Sequence, residues 1–214
     1  MVEWVSEKSF FIFQKSPLTN LSGVGIIISK EKRMSENADI KPKYVADLEG
    51  IFSVPAYQRG YRWEKRQVED LLNDIWHHAE INATYDYCLQ PVVLSNNKIV
   101  DGQQRFTTIY IILKYLNAEI KYTLSYDTRD IKEAETDLTS KEFLANINTI
   151  TEINDNKSDF YHMSNAFLII KKWFEEKSTG KNFDKELFLQ TLNEKTFFVW
   201  YEIESTKKDE SDVF

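Results

Sequence analysis

The stretch IVDGQQRFTTIYIIL, residues 99–113, joins a β-prone segment to a segment with helical spacing. Residues 99–100 are β-prone and predict a short strand. Apolar residues recur with helical spacing from 106 to 116, which predicts a helix. The polar segment DGQQR, residues 101–105, therefore lies where a strand enters the N-terminus of a helix.

The segments before this point predict a small sheet with packed helices. Residues 89–94 read as a strand, and the Asn-rich residues 95–98 form the hairpin turn to the strand at 99–100. Residues 44–50 predict a short helix ended by Gly50, and residues 51–55 are extended because they run into a proline. Residues 64–81 carry an apolar stripe at helical spacing.

The DGQQR segment has the chemistry of a phosphate site. The N-terminus of a helix offers free N–H groups and a positive dipole end, and Gly102 lets an anion approach the backbone. Arg105 adds a fork of donors that suits phosphate oxygens. Gln103 and Gln104 can donate to oxygens, hold a base edge or orient a water. Asp101 can cap the helix, or bind a metal or a ribose hydroxyl. The competing interpretation is a capped helix with solvated polar residues.

A second segment mixes cations with aromatic side chains. Residues 57–66 read YQRGYRWEKR and carry four basic residues and one acidic residue. Aromatic rings beside arginines suit a nucleobase and its phosphates. The alternative is a surface turn whose rings pack under the arginine stems. The binding candidates in this segment are Tyr57, Gln58, Arg59 and Arg62.

The part after residue 126 is mainly helical and acidic. Residues 159–176 and 184–193 predict helices, and TFFVWYEI, residues 196–203, predicts a strand that returns to the sheet. We expect three parts: a peripheral N-terminal extension (1–40), a core with both motifs (41–126), and a helical extension (127–214).

Charge and composition narrow the function classes. The formal net charge is −7. Residues 1–126 hold 15 basic and 15 acidic side chains, so the excess negative charge lies after residue 126 and an anion site belongs in the first part. The acidic balance argues against a protein that coats nucleic acid without sequence preference. A single cysteine and the lack of a long apolar run or leader predict a cytoplasmic protein with no membrane partner.

Two stretches together resemble a known family. FSVPAYQRGYRWEKRQVEDLLNDI (52–75) and IVDGQQRFTTIYIIL (99–113) are similar to the N-terminal GmrS-like domain of GmrSD-type modification-dependent restriction proteins and of SspE-like antiphage effectors. DFYHMSNAFLIIKKWF (159–174) and the segment 196–214 resemble later parts of that domain. The similarity covers residues 44–214.

The resemblance implies an α+β fold related to ParB and sulfiredoxin, with a small mixed sheet, packed helices and a helical extension. It implies that an NTP binds here and is hydrolysed, with Asp101, Gly102, Gln103, Gln104 and Arg105 at the phosphates. We also expect Mg²⁺, because the negative charge of a triphosphate needs a partner. It also implies that Tyr57, Gln58 and Arg59 form the opposite wall, which in some members couples turnover to sensing of modified DNA. The metal ligands and the preferred base stay undetermined.

Two functions follow as hypotheses. The first is a nucleotide-binding, NTP-hydrolysing regulatory domain of a DNA restriction or antiphage system, in which Gln104 or Gln103 orients the attacking water. The second is a non-catalytic module that binds DNA or nucleotide and signals to a nuclease partner. The chain lacks the histidine pattern of an HNH nuclease, so we expect no DNA cleavage by that route.

Overall fold

A computed structural model describes residues 12–15, 24–27, 38–129, 138–154, 158–180 and 182–203. The strands are β1 (Ile12–Lys15), β2 (Val24–Ile27), β3 (Ala38–Tyr44), β4 (Glu49–Val54), β5 (Tyr87–Ser95), β6 (Lys98–Asp101), β7 (Lys121–Tyr126) and β8 (Thr196–Ile203). The α-helices are α1 (Lys65–Glu80), α2 (Gln103–Leu116), α3 (Ser140–Ala145), α4 (Ser158–Ser178) and α5 (Lys185–Glu194). Within these residues, no helix has both the length and the apolar character that a membrane span needs.

Six strands form one mixed sheet in the order β3-β8-β5-β6-β4-β7. Strand β8 pairs antiparallel with β3 and parallel with β5, while β4 pairs parallel with both β6 and β7. Strands β1 and β2 pair with each other in a separate two-stranded sheet. The predicted class, a mixed sheet with packed helices, is confirmed. The likeness to ParB and sulfiredoxin stays a prediction.

An aromatic cluster fixes α2 on the sheet. The ring of Phe106 in α2 lies 5.2 Å from Phe52 of β4 and 5.6 Å from Phe198 of β8. Farther along α2, the ring of Tyr115 stacks on Phe174 of α4 at 4.9 Å. Helix α2 is buried on nearly every side, so its first turn is held in place by packing along its whole length.

The hairpin that leads into α2 forms as the sequence predicts. Asn96 and Asn97 adopt left-handed φ values of 50° and 63° between β5 and β6. Asparagine tolerates this conformation better than most residues. The hairpin therefore delivers DGQQR to the start of α2.

One prediction about local structure is wrong. Residues 44–50 are not a helix ended by Gly50: a 3₁₀ turn covers only Val45–Asp47, and Gly50 lies within β4 at φ 116°. The short apolar pattern there reflects burial of Val45 and Leu48 rather than a helical face. The predicted helix that ends at Leu116 is confirmed, and it begins at Gln103, three residues earlier than its apolar pattern, because Gly102 takes the N-cap position.

The division into an extension, a core and a helical part stays a prediction. Most of the predicted extension, residues 1–40, lies outside the described residues, as does the segment 204–214. Strand β8, from the C-terminal part, lies between β3 and β5 in the sheet. Helix α4 contacts both α1 and α2.

Candidate phosphate-binding site

Gly102 sets the start of α2 through a backbone that few other residues adopt. Its φ and ψ are 86° and 4°, in the left-handed region. A Cβ at this position would come within 2.8 Å of both the Pro91 carbonyl oxygen and Val92 Cγ2. From the sequence, we predict that a glycine is needed here so that an anion can approach the backbone. The structure gives another reason, since the space that a Cβ would fill belongs to β5.

The amide of Gln104, in the first turn of α2, holds the preceding loop. Its Oε1 accepts a 2.8 Å hydrogen bond from the backbone N–H of Arg62, and its Nε2 donates to the carbonyl oxygen of Gly60 at 3.0 Å. The side chain is only 6% exposed. The structure thus brings the YQRGYR loop and the DGQQR turn into direct contact, and it uses both ends of the Gln104 amide to do so.

Gln103 and Gln58 form a second link between the two motifs. Gln58 donates from Nε2 to the carbonyl oxygen of Val100 at 2.7 Å, which ties the loop to β6. Gln103 approaches Gln58 with a longer contact of 3.4 Å between Nε2 and Oε1. Because that contact is long and involves one end of its amide, Gln103 has more free hydrogen-bonding capacity than Gln104.

Arg105 is a half-buried cation with weak protein contacts. Its Nε is fully buried and has no hydrogen-bond partner among the described residues. Its terminal nitrogen reaches the Pro91 carbonyl oxygen at 3.4 Å, near the limit for a hydrogen bond. Burial lowers the pKa of the guanidinium, while Asp101 raises it by its negative charge. A guanidinium in this state favours an anion beside it.

The other predicted ligands differ in how far their side chains are exposed to solvent. Tyr57, 56% exposed, and the exposed Arg59 flank Gln58, while Asp101 is exposed at the end of β6. Arg62 differs, because its terminal nitrogen donates to the Tyr61 carbonyl oxygen and to Oδ1 of Asp159, both at 2.7 Å. Its guanidinium is therefore partly committed to the fold.

Two buried hydroxyl groups form hydrogen bonds at the first turn of α2. The hydroxyls of Tyr61 and Thr108 hydrogen-bond at 2.8 Å, and Thr108 also donates to the carbonyl oxygen of Gln104 at 2.9 Å. Both side chains are completely buried. The loop is thus joined to α2 by side-chain and backbone groups at the same turn.

Sequence reasoning missed Asp159 as part of this region. Asp159 lies in the first turn of α4, is fully buried, and forms the ion pair with Arg62. In the sequence it is an ordinary acidic residue at a helix start. The contact joins residues 97 positions apart, so no local pattern indicates it.

The described residues contain no cluster of three or more histidine, cysteine or acidic side chains that could hold a metal ion. Mg²⁺ in proteins often binds through one or two carboxylates and the oxygens of a substrate phosphate. Asp101 is the acidic residue of DGQQR and is open to solvent. The protein groups here therefore fit an ion that arrives with a nucleotide rather than a cage built by the chain.

Comparison with known proteins identifies a family that matches the chain. The sequence matches the family described as GmrSD restriction endonuclease, N-terminal domain, over residues 40–214, which is well over half of the chain. No curated protein matches the chain.

Proposed function

The chain belongs to the GmrSD restriction endonuclease N-terminal domain family, and we propose that it binds and hydrolyses a nucleoside triphosphate as the sensor of a restriction system. Membership connects the chain to a restriction system that contains a nuclease. Nucleotide binding, hydrolysis and sensing of modified DNA go beyond membership.

The observation that carries the proposal is the state of Arg105. Its guanidinium is half-buried beside the start of α2, its Nε lacks a partner among the described residues, and its hydrogen bond to the Pro91 carbonyl oxygen is long. Burying a charge is costly unless the charge is paired. A phosphate group would supply that pairing, and the N–H groups at the start of α2 would add further donors.

The exposed residues of the loop suit the remainder of a nucleotide. Arg59 carries a guanidinium in solvent, and more than half of the Tyr57 side chain is exposed. Arginine can pair with phosphate oxygens, and a tyrosine ring can stack on a base. Because Gln58 is anchored to β6, the loop presents these two side chains from a fixed base. The same pair suits the backbone and a base of modified DNA.

Hydrolysis needs an oriented water and neutralisation of phosphate charge. We assign the water to Gln103, since both ends of the Gln104 amide hold the loop. Arg105 would neutralise charge on the phosphates. Mg²⁺ bound with the nucleotide would supply further positive charge, and Asp101 is the carboxylate that would hold it.

A second candidate is a module that binds nucleotide or DNA without turnover and signals to a nuclease partner. The commitment of Gln104 to the loop favours this candidate. It removes one of the two residues that could position water. The Gln103 side chain is itself only 6% exposed, which limits the access of water to it.

Phosphate release measured with ATP, GTP, CTP and UTP, each with Mg²⁺ and with or without DNA, separates the two candidates. The enzyme predicts release that depends on protein concentration and falls in Gln103→Ala. The binding module predicts saturable nucleotide binding with no release. Absence of both binding and release in the folded protein would contradict the proposed function.

A further inference from the structure

We propose that Asp159 is a positioning residue that holds the loop 57–62 against the first turn of α2. The loop and this turn form the proposed site, so an effect of Asp159 on nucleotide affinity rests on the proposed function. Its effect on the loop itself does not. Helix α4 would thereby control the geometry of a site to which it contributes no ligand.

The Asp159 carboxylate meets the loop through a charged contact. Its Oδ1 accepts from the terminal nitrogen of Arg62 at 2.7 Å, and its side chain is fully buried while that of Arg62 is 38% exposed. A buried carboxylate that loses its cation is strongly unfavourable. The pair therefore keeps the Arg62 guanidinium on α4, although part of the side chain stays open to solvent.

Gly60 shows that the carboxylate also packs directly on the loop backbone. A Cβ at position 60 would overlap the Asp159 carboxylate, with Oδ1 and Cγ the nearest atoms. Gly60 is not among the glycines with positive φ, so its backbone conformation does not require glycine. The lack of a side chain is explained by the position of Asp159.

Asp159 and Gln104 hold the same two loop residues, Gly60 and Arg62, from two helices. Gln104 of α2 bonds the backbone of Gly60 and Arg62. Asp159 of α4 contacts Gly60 and pairs with the side chain of Arg62. The two hydrogen bonds of Gln104 form only when the loop backbone lies at the right distance and angle from its amide group. Without Asp159, α4 no longer holds this backbone, and the contacts with α2 alone have to keep it in place.

Two different substitutions test this inference. Asp159→Ala removes the carboxylate, and Gly60→Ala leaves the charge but forces the carboxylate and the loop apart. Asp184→Ala is the matched control, because Asp184 is also an acidic residue at a helix start and caps α5 through Glu186 N and Leu187 N. Hydrogen exchange of residues 57–62 reports on the loop, and calorimetric titration with each of the four NTPs and Mg²⁺ reports on the site.

We expect exchange of the loop amides to rise about tenfold or more in both variants, the factor for loss of a hydrogen bond to a charged group. Nucleotide affinity should fall with it, while Asp184→Ala changes neither. The double variant Gly60→Ala/Asp159→Ala should match Asp159→Ala alone, because the carboxylate that the new Cβ would meet is gone.

Unchanged loop exchange in both folded variants would overturn the inference. Additive effects in the double variant would overturn the steric explanation of Gly60. If the wild-type protein binds no nucleotide, the proposed function fails, and loop exchange alone then decides whether Asp159 positions the loop.

Discussion

The backbone N–H of Arg62 donates a 2.8 Å hydrogen bond to Oε1 of Gln104, across 42 positions of sequence. This bond joins a loop that precedes α1 to the first turn of α2. It explains why the two motifs occur together in one chain, since each completes the hydrogen bonding of the other. The contact between the two motifs therefore has a structural role, whether or not a ligand binds there.

Gln104→Ala should destabilise the fold by about 1–3 kcal/mol, because it leaves the half-buried N–H of Arg62 and carbonyl of Gly60 without their partner. Urea unfolding followed by circular dichroism measures the change. Gln190→Ala is the control: Gln190 bonds Glu194 on an exposed helix surface, and its loss should change the free energy of unfolding by less than about 0.5 kcal/mol. Equal effects of the two substitutions would show that the Gln104 contacts contribute little.

Gly102→Ala should destabilise the protein more than Gly50→Ala. Both glycines have positive φ, 86° and 116°, so both substitutions strain the backbone. A Cβ at Gly50 meets nothing within 4 Å, whereas one at Gly102 meets β5 at 2.8 Å. We expect an excess cost of about 1–3 kcal/mol for Gly102, the range for overpacking. Comparison of the two unfolding free energies checks this, and equal costs would show that β5 yields easily.

The stability of the protein should fall as the pH falls below about 6.5, the ordinary pKa of histidine. His78 is 4% exposed, and its burial lowers the pKa of the imidazole in the folded protein. The unfolded chain therefore binds a proton at a higher pH than the folded one, so stability rises with pH in this window. Urea midpoints from pH 7.5 to 5 should show this slope, and His78→Gln should reduce it.

His77→Gln provides the control for this measurement, because His77 neighbours His78 but is exposed. Burial is the largest cause of the lowered His78 pKa and the charge of His77 is a small one, so His77→Gln should reduce the slope much less than His78→Gln. If His78→Gln and the wild-type protein show the same slope, another group causes the pH dependence.

Periodicity and turn chemistry are enough to predict much of this fold. The apolar stripe of α1, the asparagines at 96–97 and the β-rich run of β8 are local signals, and the structure has each element within a few residues of its predicted bounds. The order of the strands in the sheet depends on contacts between distant segments, so local patterns do not predict it. Nothing in the sequence of β8 indicates that it lies between β3 and β5.

The candidate site also has features that the local sequence predicts and features that it does not. The placement of residues 103–105 at a helix start follows from a strand, a glycine and a helical pattern in sequence. The use of Gln104 and Arg62 as structural groups could not be predicted, because their partners lie on other elements. Gly60 and Gly102 also look alike in sequence, yet one accommodates the Asp159 carboxylate and the other accommodates β5.

Calorimetric titration of the protein with each of the four NTPs and Mg²⁺ measures whether Arg105 binds a phosphate of a nucleotide. Arg105→Ala should weaken binding by about 1.5–3 kcal/mol, the cost of losing a hydrogen bond to a charged group. Arg66→Ala is the matched control, since Arg66 is exposed on α1 and pairs with Asp70. Saturable binding that Arg105→Ala weakens and Arg66→Ala preserves is the predicted result. Equal affinity in the wild-type protein and a folded Arg105→Ala variant would contradict the account.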